Sequence, residues 1–463
     1  MLLVLAISFL LIHLLPVLGF ALLRPAGMRR DVFAPLYVVT AFQLLNVPYL
    51  FLVAADRSNL APDAGLSPWV AGDLEASMAG YVAVAGAGFL AMVAGMFSPL
   101  APALARPLPR LDPARFTAAR VYRAILLTAL GGAAAYAYFL AKIGGLSRLW
   151  IVLYNRTLVT MGTGYISFTY SLLFTFLGVL LAYSLRFRAS APRRAAVIAG
   201  MVVVAAVLAS TGGRSGALSA VILALMAVHY GVRPFRRLIT ARTALLGAVL
   251  LAFVLVMPLF RSARAPERYG GHPELVVADA VGSLGRLAPQ FSSADRGMII
   301  VRYFQPHRLW WGASYLDLLL APVPRTLFPD KPPVDEGVYL TAIGMGQEVR
   351  PSMPARMLPV TSQPMGTWAT YMNFGVIGFL AAMFLSGAVV GAAYRYMQRS
   401  GYNPFAVYLY GFAAMNGLSV SNLGLVSFVI TVGFAAAVFW LLFGRTLGAF
   451  ARPAARPLAM AAG

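Results

Sequence analysis

The 463-residue sequence contains no cysteine, and only 11% of its residues are charged. Without cysteine there is no disulfide framework and no thiolate metal or redox centre. The four histidines, His13, His229, His272 and His307, leave little material for a zinc or iron site. There is no Gly-x-x-x-x-Gly-Lys-Ser/Thr loop to cradle a nucleoside triphosphate, and no soluble block in which a sugar nucleotide would bind. Acids are scarce as well: Asp and Glu number 15 against 37 Lys and Arg, a net charge of +22. What is abundant is apolar, with 60% hydrophobic residues and a mean hydropathy of +0.77. Such a chain cannot be divided between a core and a wettable surface, so lipid is the expected solvent. In a membrane protein the basic excess reads as Arg and Lys retained in cytoplasmic loops, with no nucleic acid as partner.

Apolar runs long enough to cross a bilayer lie near 1–22, 33–54, 76–98, 119–141, 164–185, 195–211, 217–230, 243–260, 367–394, 405–421 and 424–444. They predict an all-α polytopic protein of about 11 spans. The connectors alternate in charge. Arg24, Arg29 and Arg30, then Arg106, Arg110 and Arg115, then Arg186, Arg188, Arg193 and Arg194, then Arg233, Arg236, Arg237 and Arg242, all fall on one side. Arg395, Arg399 and the tail arginines follow them, and of the 15 acids only Asp31 and Asp112 share that side. By the positive-inside rule it is cytoplasmic, which puts the N-terminus outside and the C-terminus inside. The first run has its basic flank after it and no small-residue cleavage site, so it reads as a retained helix.

This divides the chain into helices over 1–260, a large outer loop over 261–366, further helices over 367–444 and a cytoplasmic tail over 445–463. The loop is too long for a passive connection and too charged for lipid. Within it, Leu309-Trp-Trp-Gly-Ala-Ser-Tyr-Leu-Asp-Leu-Leu-Leu-Ala-Pro322 suits a helix lying in the interface, with Trp310 and Trp311 at headgroup level. The segment Pro322-Val-Pro-Arg-Thr-Leu-Phe-Pro-Asp-Lys-Pro-Pro333 is stiffened by its prolines and holds Arg325 and Lys331 in a fixed relation. Ser210-Thr-Gly-Gly-Arg-Ser-Gly216 is a tight hairpin between two apolar runs, with backbone N–H groups and Arg214 available to an anion. Snorkelling at the interface is the competing account of Arg214.

These segments resemble the O-antigen polymerases (Wzy) and related repeat-unit polymerases of bacterial surface polysaccharides. The match rests on Gly312-Ala-Ser-Tyr followed by Pro322-Val-Pro-Arg-Thr-Leu-Phe-Pro-Asp-Lys-Pro, on the Gly-Gly-Arg-Ser-Gly hairpin, and on Asn373-Phe-Gly-Val-Ile-Gly378. Gly144-Gly145 with Arg156 adds a weaker likeness. The resemblance implies a membrane glycosyltransferase of the bacterial inner membrane with a GT-C-like helical architecture. It would transfer a growing glycan from undecaprenyl pyrophosphate onto a carrier-linked repeat unit at the periplasmic face, with a flippase and a chain-length regulator as partners.

The residues offer parts for that chemistry. Charge building on the departing pyrophosphate calls for preorganised guanidinium or ammonium groups, and Arg214, Arg325 and Lys331 lead, with Arg156 and Arg264 behind. The attacking hydroxyl must lose a proton, for which the loop provides His307, Asp335, Glu336 and Glu348; an ordinary surface salt bridge is the competing account of each carboxylate. His13 and His229, in a span and at a cytoplasmic helix end, are set aside. Carboxylates in a metal-like array are missing near the arginines, so the expected reaction needs no metal and no cofactor. Two alternatives stand: an O-antigen ligase that transfers glycan to lipid A core, and a lipid-linked oligosaccharide flippase, against which the largely uncharged spans and the lack of repeats speak.

Overall fold

The computed structural model describes residues 1–23, 31–55, 67–109, 116–149, 163–187, 190–210, 214–235, 292–323 and 327–443. Among them every regular element is helical. The long apolar helices are α1 (Leu2–Leu23), the pair α2 (Pro35–Leu44) and α3 (Val47–Ala55), α4 (Leu74–Phe97), α5 (Ala118–Ile143), α6 (Gly164–Ser184) and α7 (Ala191–Ala209). A shorter apolar helix, α8 (Arg214–Gly231), follows. After the charged connector come α11 (Trp368–Arg399), α12 (Pro404–Asn416) and α13 (Asn422–Phe443), with α9 (Ala294–Tyr303) and α10 (Gly337–Gly344) between the two groups. Eight stretches are long and apolar enough to cross a bilayer, α2 and α3 counting as one. The chain is therefore a polytopic membrane protein, and the surface agrees: Leu11, Leu15 and Leu18 on α1 and Ile198, Val202 and Val203 on α7 point outward, where lipid accepts them and water would not.

Three expected spans differ in detail. The run 33–54 is broken at Leu45 and Asn46, because Pro48 has no N–H to continue the ladder of α2. The break is used: Asn46 Oδ1 accepts from the Ser293 N–H at 2.7 Å and lies 3.1 Å from Ser292 Oγ, tethering the start of α9 to the bundle. The run 405–421 is helical only to Asn416, after which 417–421 is not helical and Leu418 N–H donates to Ser386 Oγ at 2.9 Å. The run 243–260 lies outside the described residues, as do 261–291 and the tail from 444.

The centre of the bundle is the crossing of α4 with α11. Small residues permit it: a Cβ on Gly95 would strike the Phe384 carbonyl oxygen, and one on Gly387 that of Met92. Backbones in this contact touch directly, the packing that replaces hydrophobic drive within lipid. α1 packs on α4, α6 on α5 and α8, and α12 on α11 and α8. α9 lies against α4 and α11, and α10 lies on α9, so the described part of the large loop is packed on the bundle. The apolar stretch after Leu309 is not one interfacial helix. It makes two single turns, Ala313–Leu316 and Asp317–Leu320, that expose Leu316 and Leu319 beside an exposed Trp311.

Candidate active site where the large loop docks on the bundle

α11 supplies a ruler. Its 32 residues span about 48 Å at 1.5 Å per residue, more than the roughly 30 Å of a hydrocarbon layer. Near one end Gly375 has φ 64° and ψ −152°, a conformation that suits glycine and kinks the helix. The loop docks at this kink: Trp310 N–H donates to the Met372 carbonyl at 3.1 Å and Trp311 N–H to that of Asn373 at 2.8 Å. Counting back from Arg395 and Arg399, the kink falls at the far boundary of the apolar layer.

Asn373, one turn into α11, is the hub of a buried polar node. Its Nδ2 donates to Ser314 Oγ at 2.8 Å and its Oδ1 accepts from the Gly312 N–H at 3.1 Å. The single Ser314 proton is thereby directed to Glu336 Oε1, 3.0 Å away. Glu336 Oε2 accepts from the Asn422 N–H at 2.7 Å, so this loop carboxylate caps the N-terminus of α13. Asn422 Nδ2 donates back to the Ser314 carbonyl at 2.6 Å. Glu336 is 1% exposed and has no cation beside it among the described residues. Burial pushes its carboxyl up to about 7, against the lowering effect of the Asn422 N–H and Ser314 hydroxyl. Asp317 nearby, bonded by Ser352 Oγ at 2.8 Å, is likewise raised by burial.

His307 stands just before this docking strand. Its Nδ1 lies 2.6 Å from the Tyr303 carbonyl oxygen, which can only accept, so Nδ1 carries a proton and in the neutral ring the lone pair is on Nε2. The ring is clamped, stacked on Tyr303 at 4.1 Å and 4° and edge-on to Trp69 at 5.3 Å. A cleft of about 290 Å³ opens beside it, lined by Arg308, Leu309, Trp310, Val349, Arg350 and Pro351. Arg308 and Arg350 are both exposed, and among the described residues neither has an acidic partner.

The other expected site residues are distributed differently. Lys331 is buried and donates to the Ala321 and Val323 carbonyls at 2.7 and 2.9 Å, which fastens the turn after Leu320. Asp335 Oδ1 accepts from the Gly337 N–H at 3.0 Å at the start of α10. Glu348 is exposed and precedes three cleft residues, Val349, Arg350 and Pro351, without lining the cleft. Arg214 begins α8, but its side chain, like all of Arg156, Arg264 and Arg325, lies outside the described residues. Sequence reasoning had no role for Arg308 or Arg350, which were two of the ten arginines of the loop. Ser314 and Asn373 stood inside quoted motifs, and their meeting across 59 residues is what those motifs have in common.

His229, set aside earlier, belongs to a second buried node at the other end of α11. Its Nδ1 accepts from the Phe235 N–H at 2.8 Å, so the proton is on Nε2, which faces Asp31 Oδ1 at 3.2 Å. This is a hydrogen bond from a neutral ring, not an ion pair. Asp31 also accepts from Tyr230 at 3.0 Å, Tyr394 at 2.5 Å and the Phe33 N–H at 3.0 Å.

No group of three or more His, Asp or Glu side chains among the described residues is arranged to hold a metal ion. Compared with family models, characterised proteins and solved structures, the chain gives no match.

Proposed function

We propose that the protein is a membrane glycosyltransferase that lengthens a surface polysaccharide, moving a glycan from undecaprenyl pyrophosphate to a hydroxyl of another carrier-linked repeat unit at the periplasmic face of the inner membrane. The observation that carries the proposal is the clamped His307, whose ring lines a cleft with two guanidinium groups that have no acidic partner among the described residues. A lipid-linked pyrophosphate reaches such a cleft laterally from the bilayer.

In the proposed step the acceptor oxygen forms a bond to the anomeric carbon of the donor sugar while the bond from that carbon to the pyrophosphate oxygen breaks. His307 Nε2 takes the acceptor proton. The leaving oxygen keeps the bonding electrons, and Arg308 and Arg350 balance its growing charge. Glu336 is enclosed and does not meet substrate; its part is to hold Ser314, Asn373 and the head of α13 so that the strand carrying His307 stays docked. This narrows the expected general base from four candidates to one and, of the expected anion contacts Arg214, Arg325, Lys331, Arg156 and Arg264, replaces the described Lys331 by Arg308 and Arg350.

The test is reconstitution in nanodiscs, with EDTA, on defined undecaprenyl-pyrophosphate-linked repeat units, with products separated by size. A ladder of lengthening glycans is expected, falling about 10²- to 10⁴-fold in rate for His307→Gln with the melting temperature nearly unchanged. Transfer seen only when lipid A core is supplied would make the protein a ligase. A His307→Gln protein of full activity would remove the proposed base.

A further inference from the structure

Behind His307, on the side of Trp69, lies a second cleft of about 530 Å³, lined by Pro68, Trp69, Gly72, Arg302, Gln305 and Pro306. Its size is in the range of a built small-molecule pocket. We infer that it is the subsite for the acceptor glycan, an uncharged and hydroxyl-rich ring system, while the Arg308 and Arg350 cleft takes the anionic donor. The inference rests on the glycosyltransferase reading and adds a division of labour between two clefts.

Charge distinguishes them. Among the described residues the guanidinium groups of the first cleft have no acidic partner. In the second, Arg302 lies 3.5 Å from Asp73 Oδ2 and donates to Gln305 Oε1 at 2.8 Å, so its charge is balanced and its geometry held. A pyrophosphate gains little there. A sugar finds complementary groups: Gln305 Nε2, with no partner among the described residues, is a donor, and the Trp69 ring offers apolar surface to ring C–H groups. The Trp69 Nε1 is itself buried without an acceptor.

Position completes the argument. Residues 302–310 contribute to both clefts in turn, Arg302, Gln305 and Pro306 to the second and His307 to Trp310 to the first. Trp69, which lines the second cleft, has its ring centroid 5.3 Å from that of His307, which lines the first. The clefts thus adjoin at this ring contact, and an acceptor held in the second lies next to the base of the first. The two prolines stiffen the rim, so little ordering is needed on binding.

The experiment compares wild type with Gln305→Ala, Trp69→Phe and Arg308→Ala in nanodiscs. Rates are followed against acceptor concentration and against added inorganic pyrophosphate as a competitor of the donor. Gln305→Ala should raise the KM for acceptor about tenfold, the loss of one good hydrogen bond, with kcat within about twofold and pyrophosphate inhibition unchanged. Arg308→Ala should do the reverse. Equal shifts of both constants in Gln305→Ala and Trp69→Phe, or an unmoved acceptor KM, would overturn the assignment. If wild-type protein lengthens no glycan, saturation-transfer NMR with the free repeat-unit oligosaccharide, stripped of lipid and phosphate, decides separately. Binding that is lost in Gln305→Ala keeps the subsite although the polymerase reading fails; no binding, or binding unchanged in the variant, removes it.

Discussion

Of the buried carboxylates among the described residues, Glu336 and Asp31 lie near opposite ends of α11, one bonded through Ser314 to Asn373 and the other bonded by Tyr394. Those two positions are 21 residues apart, about 31 Å along the helix, close to the thickness of a hydrocarbon layer. Polar clusters that costly in lipid are tolerated where the layer ends, and the pair marks both of its boundaries. Among the described residues neither carboxylate has an Arg or Lys partner, yet they are satisfied differently. Asp31 is enclosed by donors from α8 and α11 and from its own backbone turn, a closed knot among elements of the bundle. Glu336 joins a loop to the head of one helix, and the strand it stabilises leads to an open cleft. One node contributes cohesion; the other contributes cohesion to something that has to be reached from outside.

The largest effect should come from cutting the closed knot. Asp31→Ala strands the His229, Tyr230, Tyr394 and Phe33 donors and should cost about 3–5 kcal/mol, read as a lower melting temperature in nanodiscs. Glycan transfer per folded molecule should be unchanged. A selective loss of activity in a protein of normal stability would mean that the inner node is coupled to the outer cleft.

A pH series sharpens the contrast. The folded-state pKa of Glu336 is raised from 4.5 to about 7, so between those values the folded protein holds more protons than the unfolded chain. Stability should therefore be greatest below pH 4.5 and decline as pH rises toward 7, by at most about 3 kcal/mol from this group, with Asp317 adding in the same direction. Glu336→Gln should flatten that slope in thermal melts from pH 4.5 to 8. A slope that persists in the variant would assign the titration to other groups.

The smallest effect tests Lys331. Met in its place leaves the Ala321 and Val323 carbonyls without their donor and should cost about 1–3 kcal/mol, with the KM for the lipid-linked donor unmoved once protein level is matched. A raised donor KM at unchanged stability would return Lys331 to the pyrophosphate.

Much of this architecture was legible in residue order. Apolar runs and the alternation of arginine-rich connectors required nothing but the cost of charge in lipid, and the broken run 33–54 could have been read from Pro48. Asn416 and Gly417 likewise carried a signal that α12 stops short. The site was legible only in outline. His307 and Glu336 were both on the list of candidate bases, but nothing in their spacing told a clamped ring at a cleft from a sealed carboxylate capping a distant helix. Arg308 and Arg350, 42 positions apart, could not be singled out of a loop rich in arginine.

The sequence by itself determined that this chain lives in a membrane and crosses it several times, because the transfer of side chains between water and lipid is a property each residue carries locally. Which cleft a histidine borders and which carboxylate is closed off depend on contacts such as Asn373 with Ser314 and Asn422 with Glu336. Those contacts join segments far apart in the chain. Hydrogen bonding and burial are relations between such segments, so only the tertiary structure decided them.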